Sequence, residues 1–380
     1  MKKVVLLGFK GDGAGKHYNR VLLGLAEKRK IDLICVDYGM PENVLGKPSL
    51  EEMEKLIKAR KVRYLDLNNP ADLENYKNLS ELNVVFIVTP DITHCQVAKE
   101  FLGKARRIFI EKPLDAILRN VRILEDFPKV GKVVFGYDHY LAKFYPFQVK
   151  TDEWLKEGLI GDLREIEFRL LEPDVVPPHR LKALDRGMVY DVFPHGLSAI
   201  VATPSRFAYP DQVILKKVRL LKVQVARYFG CKTNGISFVK IDFEIPDRDR
   251  SIFCQARVGK GVGKDFERTL RIRGSKGEIF VDIKNYKFTI SDSEGKIIKQ
   301  DKLLYDYEKA FLSAAIDFKK SLSQIPGALP FEAAKETLYI LDEARWRSEP
   351  KGKSPIYKVG SSVSEIEKII KTNLNPGDIF

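Results

Sequence analysis

The chain has 380 residues, 44% of them hydrophobic and 31% charged, which excludes a disordered or collagen-like chain and leaves room for two domains. Its 65 Lys and Arg against 52 Asp and Glu give a formal charge of +13, but the basic residues are interspersed with acidic ones. With no basic tract interleaved with aromatics, and no zinc-finger or helix-turn-helix spacing, the excess reads as a solvated Lys-rich surface and no nucleic-acid partner is expected.

No apolar run reaches the ~18 residues of a membrane span, and MKKVVLLGF runs straight into a strand, so a cytoplasmic protein with no membrane partner is expected. Cys35, Cys95, Cys231 and Cys254 lack metal-ligand spacing and read as thiols in a reducing compartment; no metal is expected.

From residue 2 to about 140, the runs KKVVLLGF, IDLICVDY, VRYLDL, NVVFIVT, RIFIEKP and KVVFGYDH alternate with amphipathic stretches. One of these, SLEEMEKLIKAR, has a capping-box pattern at Ser49 and Glu52. Continuous apolar strands separated by helices predict a parallel sheet covered on both faces.

After about residue 150 the rhythm changes. A helix (TDEWLKEG) leads to the alternating strand LREIEFRLL, a Pro-rich loop and a helix from about Met188. The runs VRLLKVQVARYF, ISFVKIDFEI, SIFCQARVG, RTLRIRG, GEIFVDI and KFTISDS follow, with SKGE and SEGK as antiparallel hairpin turns. The Gly-rich, basic Arg257–Lys264 stretch reads as a turn, since no helix start follows it to add anion-binding amides. Two helices, YDYEKAFLSAAIDFKKSL and FEAAKETLYILDEARW, precede a Gly/Ser/Pro-punctuated tail. The expected organisation is an α/β domain over 1–140, followed over 141–380 by an α+β domain with an open, mainly antiparallel sheet. That second part would serve as substrate wall and as the face of a homodimer or homotetramer.

The segment GFKGDGAGKH links the first strand to a helix. It fails as an ATP-type loop, because Lys10 stands where the first glycine belongs and His17 replaces the metal-binding hydroxyl. It is also an imperfect G-x-G-x-x-G, with glycines at 8, 11, 13 and 15. Its strand-to-helix context still turns backbone amides and a helix N-terminus toward a pyrophosphate. Asp37 ends the next strand, where a carboxylate can accept from both hydroxyls of a ribose, and no Arg follows to hold a 2′-phosphate. NAD is the expected cofactor, with NADP possible. Gly8, Lys10, Gly11, Gly13, Ala14, Gly15 and Asp37 are the candidate cofactor residues.

Further on, VVFIVTPDITHCQVAKEFL and RIFIEKPLD bring Thr-Pro after the fourth strand, His94 in the next helix, and Glu-Lys-Pro at the end of the fifth. This pattern resembles the glucose–fructose oxidoreductase / inositol dehydrogenase family (Gfo/Idh/MocA), and LKEGLIGDLREIEFRL and RTLRIRGSKGEIFVDI extend the likeness over most of the chain. A Rossmann domain with an open mixed-sheet domain is implied, as are Thr89, Pro90, His94 and Glu111 beside the cofactor. Read without the family, His17 and His94 are packing or capping residues.

A second likeness is to glucose-6-phosphate dehydrogenases. GFKGDGAGKH resembles their G-x-x-G-D-x-x-x-K loop, GYDHYLAKF their D-H-Y-L-G-K stretch, and RGMVYDVFPHG their R-G-x-x-x-D segment. Ala142 stands in the place of that family's glycine, and His195 follows Asp191 by four residues, as in inositol dehydrogenase relatives.

Oxidising a sugar hydroxyl requires a base and a donor that favours the alkoxide. His195 has suitable basicity, and Asp191, one helical turn away if the segment is helical, orients it or binds a substrate hydroxyl. Pro194 complicates a helical reading unless it falls in a first turn. The resemblance carries Lys112 over as a catalytic or substrate-orienting residue, and Asp138, His139, Tyr140 and Lys143 as substrate residues. The last three would hold a sugar phosphate. The expected activity is hydride transfer between a sugar or sugar-phosphate hydroxyl carbon and nicotinamide. The same fold would also allow a non-catalytic dinucleotide-binding regulator, or an imine or biliverdin-type reductase.

Overall fold

The computed structural model describes the chain except for residues 12–13, 15–16, 39–53, 56, 60, 128, 176–191, 201–218, 229–236, 248–249, 265, 349–354 and 374–380. The Ser49–Glu52 capping box therefore lies outside the described residues. The chain divides into two compact units, Met1–Lys143 with Tyr305–Lys335, and Phe144–Leu304 with Glu336–Phe380.

The first unit is built on a seven-stranded sheet. Its strands are β1 (Lys2–Leu7), β2 (Ile31–Asp37), β3 (Val62–Asp66), β4 (Leu82–Ile87), β5 (Ala105–Glu111), β6 (Val134–Tyr137) and β15 (Ala328–Pro330), in the order β15-β6-β5-β4-β1-β2-β3. All pairings are parallel except that of β15 with β6. The consecutive apolar residues of β1 (Val4, Val5, Leu6) and β4 (Val84, Val85, Phe86) are each 0% exposed, the condition of strands covered on both faces.

The covering helices are α1 (Asn19–Glu27), α2 (Pro70–Lys77), α3 (His94–Phe101) and α4 (Leu118–Glu125). Helix α2 starts where its sequence says it should. The Asn69 side chain accepts from the Ala71 amide at 3.0 Å and Pro70 occupies the first turn.

The sequence division at 140 assigns residues 305–335 to the second part, whereas their contacts group them with the first. The cause is packing. Helix α7 (Tyr307–Ile316) buries Phe311 completely, edge-on to Phe109 at 5.5 Å and stacked on Tyr137 at 3.7 Å. Its last carbonyls are taken by first-unit cations: Lys2 Nζ donates to Ile316 O at 2.7 Å and Arg107 Nη1 to Ala315 O at 2.9 Å. Such donors satisfy the acceptors that every helix C-terminus leaves open.

Two helices cross the division between units, α5 (His139–Lys156) and α8 (Phe331–Ser348). The first is a difference from the sequence reading, which ends the strand KVVFGYDH there and starts a helix only with TDEWLKEG. Asp138 Oδ1 accepts from the Tyr140 and Leu141 amides at 2.8 and 3.3 Å, a cap that starts the helix early. Pro146 sits inside this helix.

The second unit carries an open nine-stranded sheet, β14-β13-β12-β11-β7-β10-β9-β8-β16. These are β7 (Leu163–Glu172), β8 (Arg219–Tyr228), β9 (Phe238–Asp247), β10 (Arg250–Lys260), β11 (Glu267–Gly274), β12 (Gly277–Asp282), β13 (Lys287–Asp292), β14 (Ile297–Lys302) and β16 (Ile356–Tyr357). Its pairings are antiparallel apart from β7 with β10 and β8 with β16.

The alternation in LREIEFRLL resolves cleanly. Ile166, Phe168 and Leu170 are buried on one face, while Glu165, Glu167 and Arg169 alternate with them. Arg169 Nε meets Glu167 at 2.8 Å, and Arg273 Nη1 meets Glu165 at 2.7 Å across the strands. The Gly-rich 257–264 stretch ends β10 and turns, as expected, with Gly261 and Gly263 at positive φ. Its amides bond Asp174 O and Ser361 O. The tail then adds β16 and a helix α9 (Val363–Asn373), whose Ile366 and Ile370 close a small core with Leu171, Phe238 and Tyr357. Among the described residues no helix is long and apolar enough to cross a membrane.

Candidate active site at the carboxyl edge of the parallel sheet

Strand order reverses between β1 and β4, and open α/β sheets bind ligands at that point, outside the strand ends. The chain leaves β1 through Gly8, with φ +80°, and a Cβ there would stand 2.5 Å from Val88 O. The close approach is locked by the Val88 amide on Leu7 O at 3.0 Å and the Gly8 amide on Val36 O at 3.1 Å. Gly11 N closes a tight turn on Gly8 O at 2.9 Å, and buried Ala14 passes its carbonyl to Tyr18 N at 3.0 Å as the helix begins. Gly13 and Gly15 lie outside the described residues.

Asp37 ends β2. Its Oδ2 accepts from Lys10 N at 2.7 Å and its Oδ1 from Tyr38 N at 2.8 Å, while Lys10 Nζ donates to Tyr38 O at 2.5 Å. The carboxylate thus fastens the glycine loop to the neighbouring strand and keeps lone pairs for ribose hydroxyls. Beside it opens a cavity of about 780 Å³ lined by Gly8, Asp37, Tyr38, Leu73, Thr89 and Pro90, among others. That volume lies in the range of small-molecule sites. The lining is mainly apolar and also carries Asp37, Lys77, Glu100 and Lys104; it has room for an adenosine, and the Asp37 carboxylate would repel a 2′-phosphate. Sequence reasoning singled out Gly8, Asp37, Thr89 and Pro90; it missed Tyr38, an ordinary loop residue, and Leu73 and Tyr76, because α2 buries only Tyr76 and so carries no apolar stripe to mark its inner face.

His94 is buried, with Nδ1 2.9 Å from Pro113 O and Nε2 2.8 Å from Thr89 O. It joins the loop after β4 to the loop after β5, which is the packing role its residue type suggested.

Glu111 and Lys112 follow at the end of β5, three strand spacings from β2, or about 14 Å along the edge. Glu111 is 7% exposed; it accepts from Tyr18 OH and from the Lys112 amide, each at 3.1 Å. Burial pushes its carboxyl up to about 7, with the Lys112 charge pulling against the rise and the Asp138 charge adding to it.

A carboxyl raised in this way binds more protons in the folded than in the unfolded chain between its ordinary value of 4.5 and about 7. Its contribution is present at low pH and is lost as pH rises through that window, by about 3 kcal/mol. Glu111→Gln keeps an acceptor for Tyr18 and is expected to flatten this fall in denaturant-unfolding free energy and to stabilise the protein above pH 7. Parallel pH profiles for wild type and variant would contradict it.

Glu111 lies opposite Tyr137 in the β5–β6 register, so Lys112 and Asp138 leave adjacent strands. From Asp138 the first turns of α5 present His139, Tyr140 and Lys143. The Lys143 ammonium is 4.9 Å from the Tyr140 ring and 5.0 Å from that of Tyr307, and His139 stacks on His17 at 4.4 Å. The structure thus gathers Gly8, Lys10, Gly11, Ala14, Asp37, Thr89, Pro90, Glu111, Lys112, Asp138, His139, Tyr140 and Lys143 within the first unit, along its carboxyl edge and the helix starts behind it. His17 and the 305–308 return, some 290 residues apart in sequence, were not legible as neighbours.

In the second unit, residues 192–200 form a helix with His195 4% exposed. Pro194 lies within this described stretch. A Cβ on Gly196 would stand 2.8 Å from the Phe168 ring, so this helix lies close on the apolar sheet face. Asp191 lies outside the described residues.

A six-strand 3-2-1-4-5-6 parallel core, a glycine turn at its switch point and a carboxylate at the end of β2 define the class: a dinucleotide-binding Rossmann fold. Residues 43–136 match the model of the Gfo/Idh/MocA oxidoreductase family with an NAD-binding Rossmann fold.

A curated relative, Oxidoreductase P35 of Formosa agariphila, is 22% identical over 227 residues. That match spans 60% of this chain and 66% of the relative, just under two thirds of its length. Two solved structures share the two-domain fold. Glucose-6-phosphate 1-dehydrogenase from Mycobacterium avium is 16% identical with a TM-score of 0.68, covering 97% of this chain and 96% of that one. KijD10, a 3-ketoreductase from Actinomadura kijaniata in complex with NADP and TDP-benzene, is 14% identical with a TM-score of 0.63, covering 91% and 97%.

Proposed function

We propose that this chain transfers a hydride between nicotinamide and a hydroxyl-bearing carbon of a sugar or sugar phosphate. The observation that carries this reading is the order of groups along one sheet edge. An adenosine-sized cavity at β1, β2 and β4 is followed by an amine at the end of β5 and a polar, basic helix start after β6. The neighbours support it: one solved relative acts on glucose 6-phosphate by name, and the other is a ketoreductase crystallised with NADP.

When bound, the nicotinamide supplies the hydride-accepting carbon. Gly8, Gly11 and Asp37 position the dinucleotide. The Lys112 ammonium donates to the reacting hydroxyl oxygen and favours its alkoxide. His195 takes the hydroxyl proton, and Asp191 orients that imidazole or binds a neighbouring substrate hydroxyl. His139, Tyr140 and Lys143 hold a phosphate on the sugar through charge-assisted hydrogen bonds.

The phosphate assignment is tested by a panel of sugars and sugar phosphates with NAD and NADP, following reduced nicotinamide. Lys143→Ala is expected to raise KM for a phosphorylated substrate by about 10- to 100-fold, the loss of one charge-assisted bond, while leaving the unphosphorylated analogue nearly unchanged. Equal effects on both would overturn it.

A further inference from the structure

We propose that His17, Tyr307 and Glu308 complete the phosphate site at the start of α5, with His17 as a ligand and Tyr307 and Glu308 as positioning residues. This deepens the reading of Lys143 as a phosphate donor and rests on it. None of the three belongs to the motifs that brought His139, Tyr140 and Lys143 forward.

Five side chains close a ring of contacts. His17 stacks on His139 at 4.4 Å and 18°, His139 lies 4.8 Å from Tyr140, and Tyr140 lies 4.9 Å from the Lys143 ammonium. Lys143 lies 5.0 Å from Tyr307, whose ring is 6.3 Å from His17. Glu308 lies against the ring: its Oε1 is 3.2 Å from His17 Nδ1 and accepts from Tyr307 OH at 2.9 Å. Its Oε2 is 3.3 Å from Arg20 Nη2, which also meets Asp306 at 3.4 Å.

These partners divide the work. The carboxylate at Nδ1 fixes the His17 ring in its place beside His139. The Glu308 carboxyl is half-buried; burial pushes it up, but the bonds from His17 and Tyr307 and the charges of His17 and Arg20 outweigh this and hold it ionised below its ordinary value. The two phenol rings flank the ammonium by cation–π contact, limiting its rotamers before an anion arrives. The ammonium, the two stacked imidazoles and the phenol hydroxyls gather hydrogen-bonding groups suited to a compact dianion. A phosphoryl group supplies that charge, and its source is the substrate or the pyrophosphate of the dinucleotide. We assign the substrate, because His139, Tyr140 and Lys143 lie after β6, with β5 between them and the cavity built on β1, β2 and β4.

The test titrates the full-length protein with inorganic phosphate, reading histidine C–H resonances by NMR, and separately with NADH by fluorescence. Phosphate is expected to move two of the five histidine signals, those lost in His17→Gln and His139→Gln. His17→Gln and Glu308→Gln should each weaken phosphate binding about fivefold to tenfold with NADH affinity unchanged. Tyr307→Phe, which keeps the ring beneath Lys143, should lose less than Tyr307→Ala.

If wild type binds phosphate and Lys143→Ala abolishes this, but the His17 and Glu308 variants match wild type, this inference falls and the Lys143 reading stands. If wild type binds no phosphate, both fall. Loss of NADH affinity in step with phosphate affinity would reassign the ring to the cofactor and overturn the proposal. Should Glu308→Gln fail to fold, as judged by NADH binding, His17→Gln carries the decision, since it leaves Glu308 bonded to Tyr307 and Arg20.

Discussion

Lys112→Met is expected to lower kcat by about 10²- to 10³-fold while NADH binds as tightly as to wild type. The magnitude is that of removing one preorganised donor from a developing oxyanion. The split follows from the position of Lys112. It stands at the end of β5, beside a buried carboxylate and next to the strand that leads into Asp138, whereas the adenosine cavity is built on β1, β2 and β4. A methionine keeps the length and apolar stem and removes only the charge and its donors, so folding should survive. If Lys112 were a strand-end lysine reaching for solvent, the variant would keep its turnover. Steady-state kinetics with the best substrate of the panel, together with an NADH titration, decides between these outcomes.

Gly8→Ala is expected to abolish cofactor binding, losing at least about a hundredfold in NADH affinity and roughly 3 kcal/mol of stability. Two costs combine there. The backbone sits at φ +80°, which charges any L-side chain about 1–2 kcal/mol, and the new Cβ would meet Val88 O at 2.5 Å and Val88 C at 2.7 Å. Backbone atoms cannot rotate aside as a side chain can, so the end of β4 must shift, and with it Thr89 and Pro90 on the cavity wall. Gly103→Ala separates the two effects. Its φ is +81°, but nothing lies within 4 Å of the added Cβ, so it should cost about 1 kcal/mol and leave NADH affinity alone. Equal losses in the two variants would mean that the switch-point contact has no bearing on the cofactor.

The parallel half was legible because its information is local. Apolar runs such as VVLL and VVFI can only be central strands, and a glycine loop followed by Asp37 places a dinucleotide at their ends. The alternation in the second sheet was equally plain, because charges and apolar residues take turns along each strand. What escaped was non-local or masked by competing signals. Asp138 caps a helix where KVVFGYDH reads as the end of a strand. The return of residues 305–335 to the first unit depends on Arg107 and Lys2 reaching carbonyls some 200 to 314 positions away. The His17–Tyr307–Glu308 contacts have no pattern in sequence at all, since each residue type is ordinary in its own helix.

The central claim is that the amine at the end of β5 and the dinucleotide cleft serve one hydride transfer. Isotope transfer tests it most directly. NAD and NADP are incubated with the protein and with sugars and sugar phosphates deuterated at their hydroxyl-bearing carbons, and the nicotinamide is then examined by mass spectrometry. The account predicts deuterium in the reduced nicotinamide ring, saturating with sugar and lost in Lys112→Met. Tight binding of NADH with no label passing to the ring from any member of the panel would contradict it.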